Sequence, residues 1–172
     1  GLFFAEGSCG EYGILEGAKT NWIIYNNNKS LLEKVQTYLT ECEGLVFTIS
    51  DFYTSAGVYH LRPTGSIIPI ARKYRSLFYD SRGYKKVPDH IIQSPYNVRL
   101  AFFLGKHAGD GSHHLNKGIV FSNRGQIGTA GLVYLAQSLG YKTSVSVASD
   151  DIYRVQCIVR YFRNTNITGI KT

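Results

Sequence analysis

The chain has 172 residues, 44% of them hydrophobic, which is enough for one domain of ordinary size with its own core. Nineteen Lys and Arg residues against twelve Asp and Glu give a formal net charge of +7, which favours polyanionic partners, with nucleic acid as the first candidate. A generally basic soluble protein is the alternative that charge alone leaves open. No apolar run approaches the roughly 18 residues of a membrane span, and no secretion signal is present. We therefore expect an intracellular protein that is neither membrane-inserted nor secreted.

The cysteines and the absence of methionine narrow the setting further. Cys9, Cys42 and Cys157 are widely spaced and form no Cys-x-x-Cys pair, so we expect reduced structural thiols rather than a zinc site. The chain contains no methionine, not even at position 1. We therefore expect it to be part of a longer polypeptide.

The first eighty residues predict the order helix, hairpin, helix, hairpin. The apolar segment Gly1–Gly7 is expected to be the end of a helix. A second helix is expected from Asn28 to near Gly44, because apolar residues recur there at helical spacing. Strands are expected at four places: Cys9–Leu15, Thr20–Asn26, Leu45–Phe52 and Gly57–Arg62.

Two further helices are expected in the middle of the chain. Ser66 is predicted to cap a linking helix with basic residues on one face. Its other face is apolar and contains Ile67, Ile68, Ala71, Tyr74, Leu77 and Phe78. Ser94-Pro95 is predicted to open the next helix, with the proline in its first turn.

The second half of the chain repeats the first. Sliding the sequence by 96 positions pairs WIIYNN at 22–27 with GIVFSN at 118–123, and VQTYLTECEG with GLVYLAQSLG. Such self-similarity indicates an internal duplication. We expect a single domain over 1–172, built from one repeat over 1–80, which includes the linking helix, and a second over 81–172.

An acidic residue followed by Gly-Ser ends the first helix of each repeat, at Glu6 and at Asp110. Small residues that let helix backbones approach closely precede each acid: Gly1 and Ala5 in one copy, Gly105, Ala108 and Gly109 in the other. Packed side by side, the helices would make the two carboxylates neighbours. Such a pair favours a cation between them, and hard oxygen ligands suit Mg²⁺ and phosphodiester hydrolysis. The alternative is that each turn is simply a polar helix end.

These residues resemble the LAGLIDADG homing endonucleases, specifically the double-motif domain found inside inteins. GLFFAEGS at Gly1–Ser8 and FLGKHAGDGS at Phe103–Ser112 are similar to the motif, and KKVPDHIIQSP and GTAGLVYLAQSLGY fit two further intein-type blocks. The resemblance spans nearly the whole chain. It implies an α+β fold of two αββαββα halves related by pseudo-twofold symmetry, with two antiparallel sheets forming a saddle over the DNA major groove.

The resemblance also implies a function and a site. The expected protein is a monomeric, site-specific double-strand DNA endonuclease that is embedded in an intein, cuts a long asymmetric target and uses Mg²⁺, which Mn²⁺ can replace. Glu6 and Asp110 would be the catalytic metal-binding acids, the backbone carbonyls of Ala5 and Gly109 further ligands, and Lys85 a base-like or charge-stabilising residue. The matching basic residue of the second half is either Arg163 or Lys171.

Alternate strand side chains are expected to face the DNA groove. Candidates for DNA contact are Asn21, Tyr25, Ser50, Tyr53, His60 and Arg62 in the first half, and Lys117, Ser122, Arg124, Arg154, Gln156 and Arg160 in the second. For any one of them, an ordinary exposed strand residue is the alternative.

The chain departs from the family pattern in two places. Glu6 stands where Asp is usual, and its longer arm is expected to weaken cleavage of one strand. Lys106 and His107 replace apolar residues and are expected to face away from the helix interface.

The sequence carries neither an opening nucleophile nor a closing His-Asn pair, so we expect no protein splicing from it. A non-cleaving nucleic-acid-binding module, either a decayed endonuclease or an RNA maturase, is the alternative function.

Overall fold

The computed structural model describes residues 1–12, 19–114 and 118–159. Helices and strands alternate in these ranges much as the sequence predicts. In chain order they are α1 (Leu2–Glu6), β1 (Gly7–Tyr12), β2 (Lys19–Asn26), α2 (Lys29–Glu43), β3 (Phe47–Phe52), α3 (Tyr53–Ala56), β4 (Val58–Pro63), α4 (Ile68–Phe78), α5 (Asp89–Ile92), α6 (Tyr96–Asp110), β5 (Ser112–His114), β6 (Gly118–Arg124), α7 (Gln126–Ser138), β7 (Tyr141–Ser149) and β8 (Ile152–Val159).

The strands form two antiparallel four-stranded sheets with the same internal order. The first sheet runs β1-β2-β4-β3 and the second β5-β6-β8-β7. In each, a helix leads directly into the edge strand, and a second helix separates the two hairpins. The predicted α+β fold with two antiparallel sheets is confirmed.

The register of the repeat differs by one residue from the sequence alignment. Sliding by 96 sets the buried Asn26 against the exposed Ser122, whereas the structure relates the central strands by 97 positions, Trp22 to Ile119. Because side chains alternate along a strand, one residue of slip exchanges the two faces. The core-facing side chains show the correct match: Trp22, Ile24 and Asn26 in β2, and Ile119, Phe121 and Asn123 in β6.

Each half has its own hydrophobic core, and α1 contributes to both. Leu2 and Phe3 pack in the first core against Trp22, while Phe4, only 1% exposed, packs in the second against Phe102. Complete burial of an aromatic side chain of this size contributes about 1.5–3 kcal/mol. The short helix is therefore fixed between the two halves.

The limits of α2 follow the predicted signals. The side chain of Asn28 accepts a hydrogen bond from the backbone N–H of Leu31 at 3.0 Å, and Gly44 ends the helix in the left-handed conformation with φ 64°.

The start of α4 is not where the sequence placed it. The helix begins at Ile68 with Ile67 as its N-cap, so the prediction that Ser66 caps it is wrong. Pro69 lies in the first turn, where a residue without an N–H costs nothing, and this sets the start. The apolar face shifts accordingly, with Ile70 buried and Ile68 exposed.

Candidate metal centre and nucleic-acid interface

Helices α1 and α6 pack with their backbones in contact. A Cβ added at Gly109 would lie 2.4 Å from Cβ of Ala5, and one at Gly105 would lie 3.0 Å from the backbone nitrogen of Leu2. Only glycine permits this approach, because any side chain at these positions would overlap the facing helix. The predicted close packing of the two helices is confirmed, and it brings their C-terminal ends together.

The glycine after each acid is required by space. Gly7 and Gly111 both have extended backbone conformations that any residue can adopt, with φ −80° and −73°. A Cβ at Gly7 would lie 2.2 Å from the Phe3 ring, and one at Gly111 would lie 2.4 Å from the His107 ring. Glycine therefore allows each helix to pass directly into a strand, which holds the acid at the junction.

The surroundings of Glu6 alter its ionisation. Partial burial raises the pKa of Glu6, and the negative charge of Asp110 raises it further, while Lys85 and Lys106 oppose the shift. A Cβ added at Gly109 would lie 3.0 Å from Cγ of Glu6, so the Glu6 side chain lies beside the residue that precedes Asp110. Two neighbouring carboxylates favour a cation between them. Within the described ranges, no cluster of three or more His, Cys, Asp and Glu residues occurs. A metal here would therefore be held by two carboxylates and backbone carbonyls, an oxygen-only set that suits Mg²⁺, Mn²⁺ or Ca²⁺.

Lys85 lies against the C-terminal end of α1. Its Nζ donates hydrogen bonds to the backbone oxygens of Phe3, Phe4 and Ala5 at 3.3, 3.1 and 3.2 Å. Burial, and then the charge of Lys106, lower the pKa of Lys85 to about 8. The ammonium is therefore placed where the helix dipole is negative and where one of the two predicted carbonyl ligands lies.

The structure corrects the placement of Lys106. The sequence predicted that it faces away from the helix pair, but its side chain is buried, and its ammonium forms an ion pair with the carboxylate of Asp110. The side chain lies against aromatic rings of the second core, and its ammonium is 4.8 Å from the centre of the Phe4 ring. The His107 ring meets the Phe121 ring edge-on, with 6.4 Å between the ring centres.

A cavity of about 380 Å³ opens beside Asp110. Its wall includes Ala5 of α1, Lys106 and Asp110 of α6, and Lys85 from the segment between α4 and α5. It continues onto the second sheet through Ser122 and Arg124 and is bounded by Tyr84. Asp110 therefore adjoins a space that is continuous with the surface of the second sheet.

Five of the six first-half candidates lie on one face of the first sheet. The pairing of Tyr25, His60 and Ser50 across β2, β4 and β3 sets this face. The strand alternation places Asn21 and Arg62 on it as well. The face is aromatic around His60, which stacks on Phe52 at 4.3 Å and meets Tyr25 edge-on at 4.7 Å.

Tyr53 is not part of that face. It begins the short helix α3 after β3 has ended, and its ring stacks on Tyr59 at 5.4 Å. Tyr59 pairs with Asn26, whose side chain is buried on the core side of the sheet. Tyr53 lies beyond the end of β3, where the alternation of side chains along the strand no longer applies.

The second sheet presents a more polar face. Ser122, Arg124, Arg154 and Gln156 lie together on it, and it borders a depression of about 460 Å³. The depression is also lined by three serines that the sequence reading missed: Ser112, Ser144 and Ser146. The alternation in YKTSVSVAS at 141–149 was the available signal. Lys117, Arg160 and both candidates for the second basic residue, Arg163 and Lys171, lie outside the described residues.

Two arginines flank Tyr84 beside the cavity: Arg124, which the sequence predicted as a DNA contact, and Arg82, which it did not. The guanidinium groups of Arg82 and Arg124 lie 5.0 and 5.1 Å from the centre of the Tyr84 ring. The Tyr84 hydroxyl donates to Asp151, which also pairs with Arg82. Two cations are therefore held at the edge of the cavity. The sequence signal was the basic turn Arg82–Lys86.

The helices within the described ranges are all too short or too polar to cross a membrane.

Comparisons with known proteins identify two kinds of relatives. No protein-family profile matches the chain. The chain is 37% identical over 160 residues to a DNA polymerase of Acanthamoeba polyphaga mimivirus, and 26% identical over 165 residues to a DNA polymerase of Thermococcus hydrothermalis. Each match covers 90% of this chain but 9% of the polymerase, so the chain spans less than a tenth of the length of these relatives.

Solved structures of the homing endonuclease I-DmoI are similar to the chain. A complex of I-DmoI with DNA and Mn has a TM-score of 0.66 and 12% identity, and covers 91% of this chain and 84% of the other. A complex with DNA and Ca gives 0.65 and 12%, covering 91% and 78%. The duplicated sheets, the close-packed helix pair and this similarity agree with one another. The chain has the LAGLIDADG homing endonuclease fold.

Proposed function

We propose that the chain is a site-specific double-strand DNA endonuclease that hydrolyses phosphodiester bonds with a divalent metal. The observation that carries the proposal is the placement of Glu6 and Asp110 at the adjoining ends of two helices whose backbones touch. The fold shared with I-DmoI, which was crystallised with DNA and with Mn or Ca, supports it. The net charge of +7 agrees with a DNA substrate.

The proposed metal site uses oxygens from both repeats. Glu6 and Asp110 would hold Mg²⁺ or Mn²⁺, with the backbone carbonyls of Ala5 and Gly109 as further ligands. The Ala5 oxygen accepts a hydrogen bond from Lys85, and a carbonyl has a second lone pair for a metal. Bound divalent ions supply Lewis acidity that activates water and stabilises charge on the leaving oxygen. Lys85 adds a fixed positive charge beside the same carbonyls.

The two sheet faces would hold the DNA. We propose that Asn21, Tyr25, Ser50, His60 and Arg62 contact one half of the target and Ser122, Arg124, Arg154 and Gln156 the other, with Tyr53 at the hairpin end of the first sheet. The first face is aromatic and the second rich in Ser, Arg and Gln, so the halves would read different sequences. This difference supports a long asymmetric target bound by one copy of the chain with halves 1–80 and 81–172.

The similarity to DNA polymerases supports a particular setting. A match that covers nearly all of this chain but a small part of each polymerase is what an endonuclease embedded in an intein would give. The natural target would then be a polymerase gene from which the coding sequence of the inserted protein is absent.

That target provides the test. The chain is incubated with linear DNA that carries the uninterrupted polymerase-gene junction, with Mg²⁺, with Mn²⁺ or with EDTA. We expect both strands to be cut at one position near the junction with either metal and no cleavage in EDTA. Specific binding of the junction without cleavage in either metal would instead identify a non-cleaving binding module, and a preference for structured RNA would identify a maturase.

A further inference from the structure

The two motifs differ at one buried position of the helix pair. Lys106 in α6 is 2% exposed, and the equivalent position in α1, four residues before the acid, is Leu2. The Lys106 ammonium lies 4.8 Å from the centre of the Phe4 ring and 5.9 Å from that of Phe121. The first motif thus carries an apolar side chain where the second carries a cation.

A buried ammonium requires a charged partner, and Lys106 has one in Asp110. The carboxylate lies one helical turn further along α6 and pairs with Nζ, while its own side chain keeps 31% of its surface exposed. Asp110 can therefore be reached from the cavity, but its charge is partly neutralised from the protein side. Glu6 has no equivalent lysine on its own helix, since Leu2 occupies that position.

We propose that Lys106 is a built-in counter-ion that holds the Asp110 carboxylate in the metal-free protein and lowers its affinity for divalent metal. The inference rests on the proposed function, because it concerns the same metal centre. A divalent cation bound to Asp110 lies beside the ammonium, in a partly buried site where like charges repel strongly. A metal that binds Asp110 must therefore either displace the Lys106 ammonium from the carboxylate or bind with this positive charge beside it. Lys106 is in this sense a positioning residue, and it makes the two acids unequal ligands.

The test measures metal binding directly, without DNA. Mn²⁺ binding to the metal-free full chain is followed by electron paramagnetic resonance, for wild type, Lys106→Met and Lys106→Arg. Lys106→Met keeps the length and removes the charge, so we expect it to bind Mn²⁺ about tenfold more tightly or better. Lys106→Arg keeps the charge and should bind within about threefold of wild type. The matched control is Lys34→Met, which removes an exposed lysine from α2 and should leave affinity unchanged.

An affinity of Lys106→Met that equals or falls below that of wild type would overturn the inference. Asp110→Asn separates this failure from failure of the metal centre. If Asp110→Asn binds Mn²⁺ as wild type does, the carboxylate is not a ligand and the proposed function fails; if it binds more weakly while Lys106→Met is unchanged, only the role of Lys106 fails.

A second measurement uses the unaltered protein and does not depend on a variant that folds. In protein labelled with ¹⁵N-lysine, the side-chain resonance of Lys106 is followed as Mg²⁺ is added. We expect a large shift of this resonance at the Mg²⁺ concentration that saturates the site, because its carboxylate partner is taken by the metal. A Lys106 resonance that does not move at saturation would contradict the proposal.

Discussion

Single charged side chains at the helix ends decide what the candidate site can hold. Glu6 and Asp110 bring two negative charges together, and Lys85 and Lys106 place two positive charges beside them. Burial works against the charges of Glu6 and Lys85, so each has a cost in folding free energy unless it is compensated. These two residues should therefore make the stability of the protein depend on pH.

Lys85 should make the protein more stable at alkaline pH. Its pKa in the folded state is about 8, below the ordinary value of 10.5, so the unfolded chain binds more protons between these values. The free energy of unfolding of wild type, relative to Lys85→Met, should therefore rise as the pH increases from about 8 towards 10.5. Urea unfolding at several pH values measures this difference. A difference that stays flat or falls over that range would show that burial does not penalise the charged lysine.

Glu6 should destabilise the metal-free protein at neutral pH. Its pKa is raised above 4.5 by burial and by Asp110, so ionised Glu6 costs stability once the pH exceeds its folded-state pKa. Glu6→Gln should then unfold at a higher temperature than wild type at pH 7 in EDTA, and the advantage should shrink as the pH falls to about 4.5. Thermal unfolding in EDTA across this range measures it. Equal melting temperatures at pH 7 would mean that neither burial nor the charge of Asp110 penalises ionised Glu6 in the folded protein.

Elements differ in how far the sequence predicted them. Asn28 and Gly44 fixed the limits of α2, because capping and left-handed glycine are local chemistry. The prediction that Ser66 caps α4 failed, because Pro69 three residues later sets the start of the helix at Ile68. The alternation in the strands placed most of the candidate contact residues on common faces. This prediction did not depend on the alignment of the two repeats, which was wrong by one residue. Side chains alternate between the two faces within each strand, whatever the offset between the repeats.

The candidate site was less predictable than the elements. The two acids could be paired because they sit at the same point of a repeat. Lys106 could not be placed, because whether a side chain on a helix faces the partner helix depends on how closely the two backbones approach. Arg124 of β6 meets Tyr84 and Arg82, which share one turn, only through a tertiary contact.

The contact between α1 and α6 should not tolerate a methyl group. Gly109→Ala adds a Cβ that would lie 2.4 Å from Cβ of Ala5 and 3.0 Å from Cγ of Glu6. The variant should lose about 1–3 kcal/mol of unfolding free energy, although Ala is the better helix former. The control is Ala101→Leu on the exposed side of α6, which should change stability by about 0.5 kcal/mol or less. Gly109→Ala that is as stable as wild type would contradict the observed packing.

The central strand β8 should carry base recognition for one half of the target. Arg154 lies beside Ser122 and Ser146 on the polar face of the second sheet, with room around it. Arg154→Ala should weaken binding of the uninterrupted junction by about 1–3 kcal/mol and relax base preference in that half-site alone. Binding to DNA with single base-pair changes measures this. Lys34→Ala, on α2, is the charge-matched control and should lower affinity equally for all sequences or not at all.

At the scale of the whole molecule, duplication brings two acids, one from each repeat, to adjoining helix ends. Each copy contains a helix, a hairpin, a second helix and a second hairpin, and its two hairpins form one sheet. The first helices of the two copies meet because glycines allow contact between them. The copies have diverged at Glu6, at Lys106 and across the sheet faces. A symmetrical frame therefore supports an asymmetric site, which suits a target whose two halves differ.

The central claim is that Glu6 and Asp110 form one metal centre, and strand-resolved cleavage tests it most directly. Wild type, Glu6→Gln and Asp110→Asn are compared on the uninterrupted polymerase-gene junction in Mg²⁺, with each strand labelled separately. We predict that wild type cuts both strands and that Asp110→Asn loses double-strand cleavage by at least about 100-fold while still binding the DNA. Glu6→Gln should lose double-strand cleavage as well. Cleavage of both strands by Asp110→Asn at the wild-type rate would contradict the account.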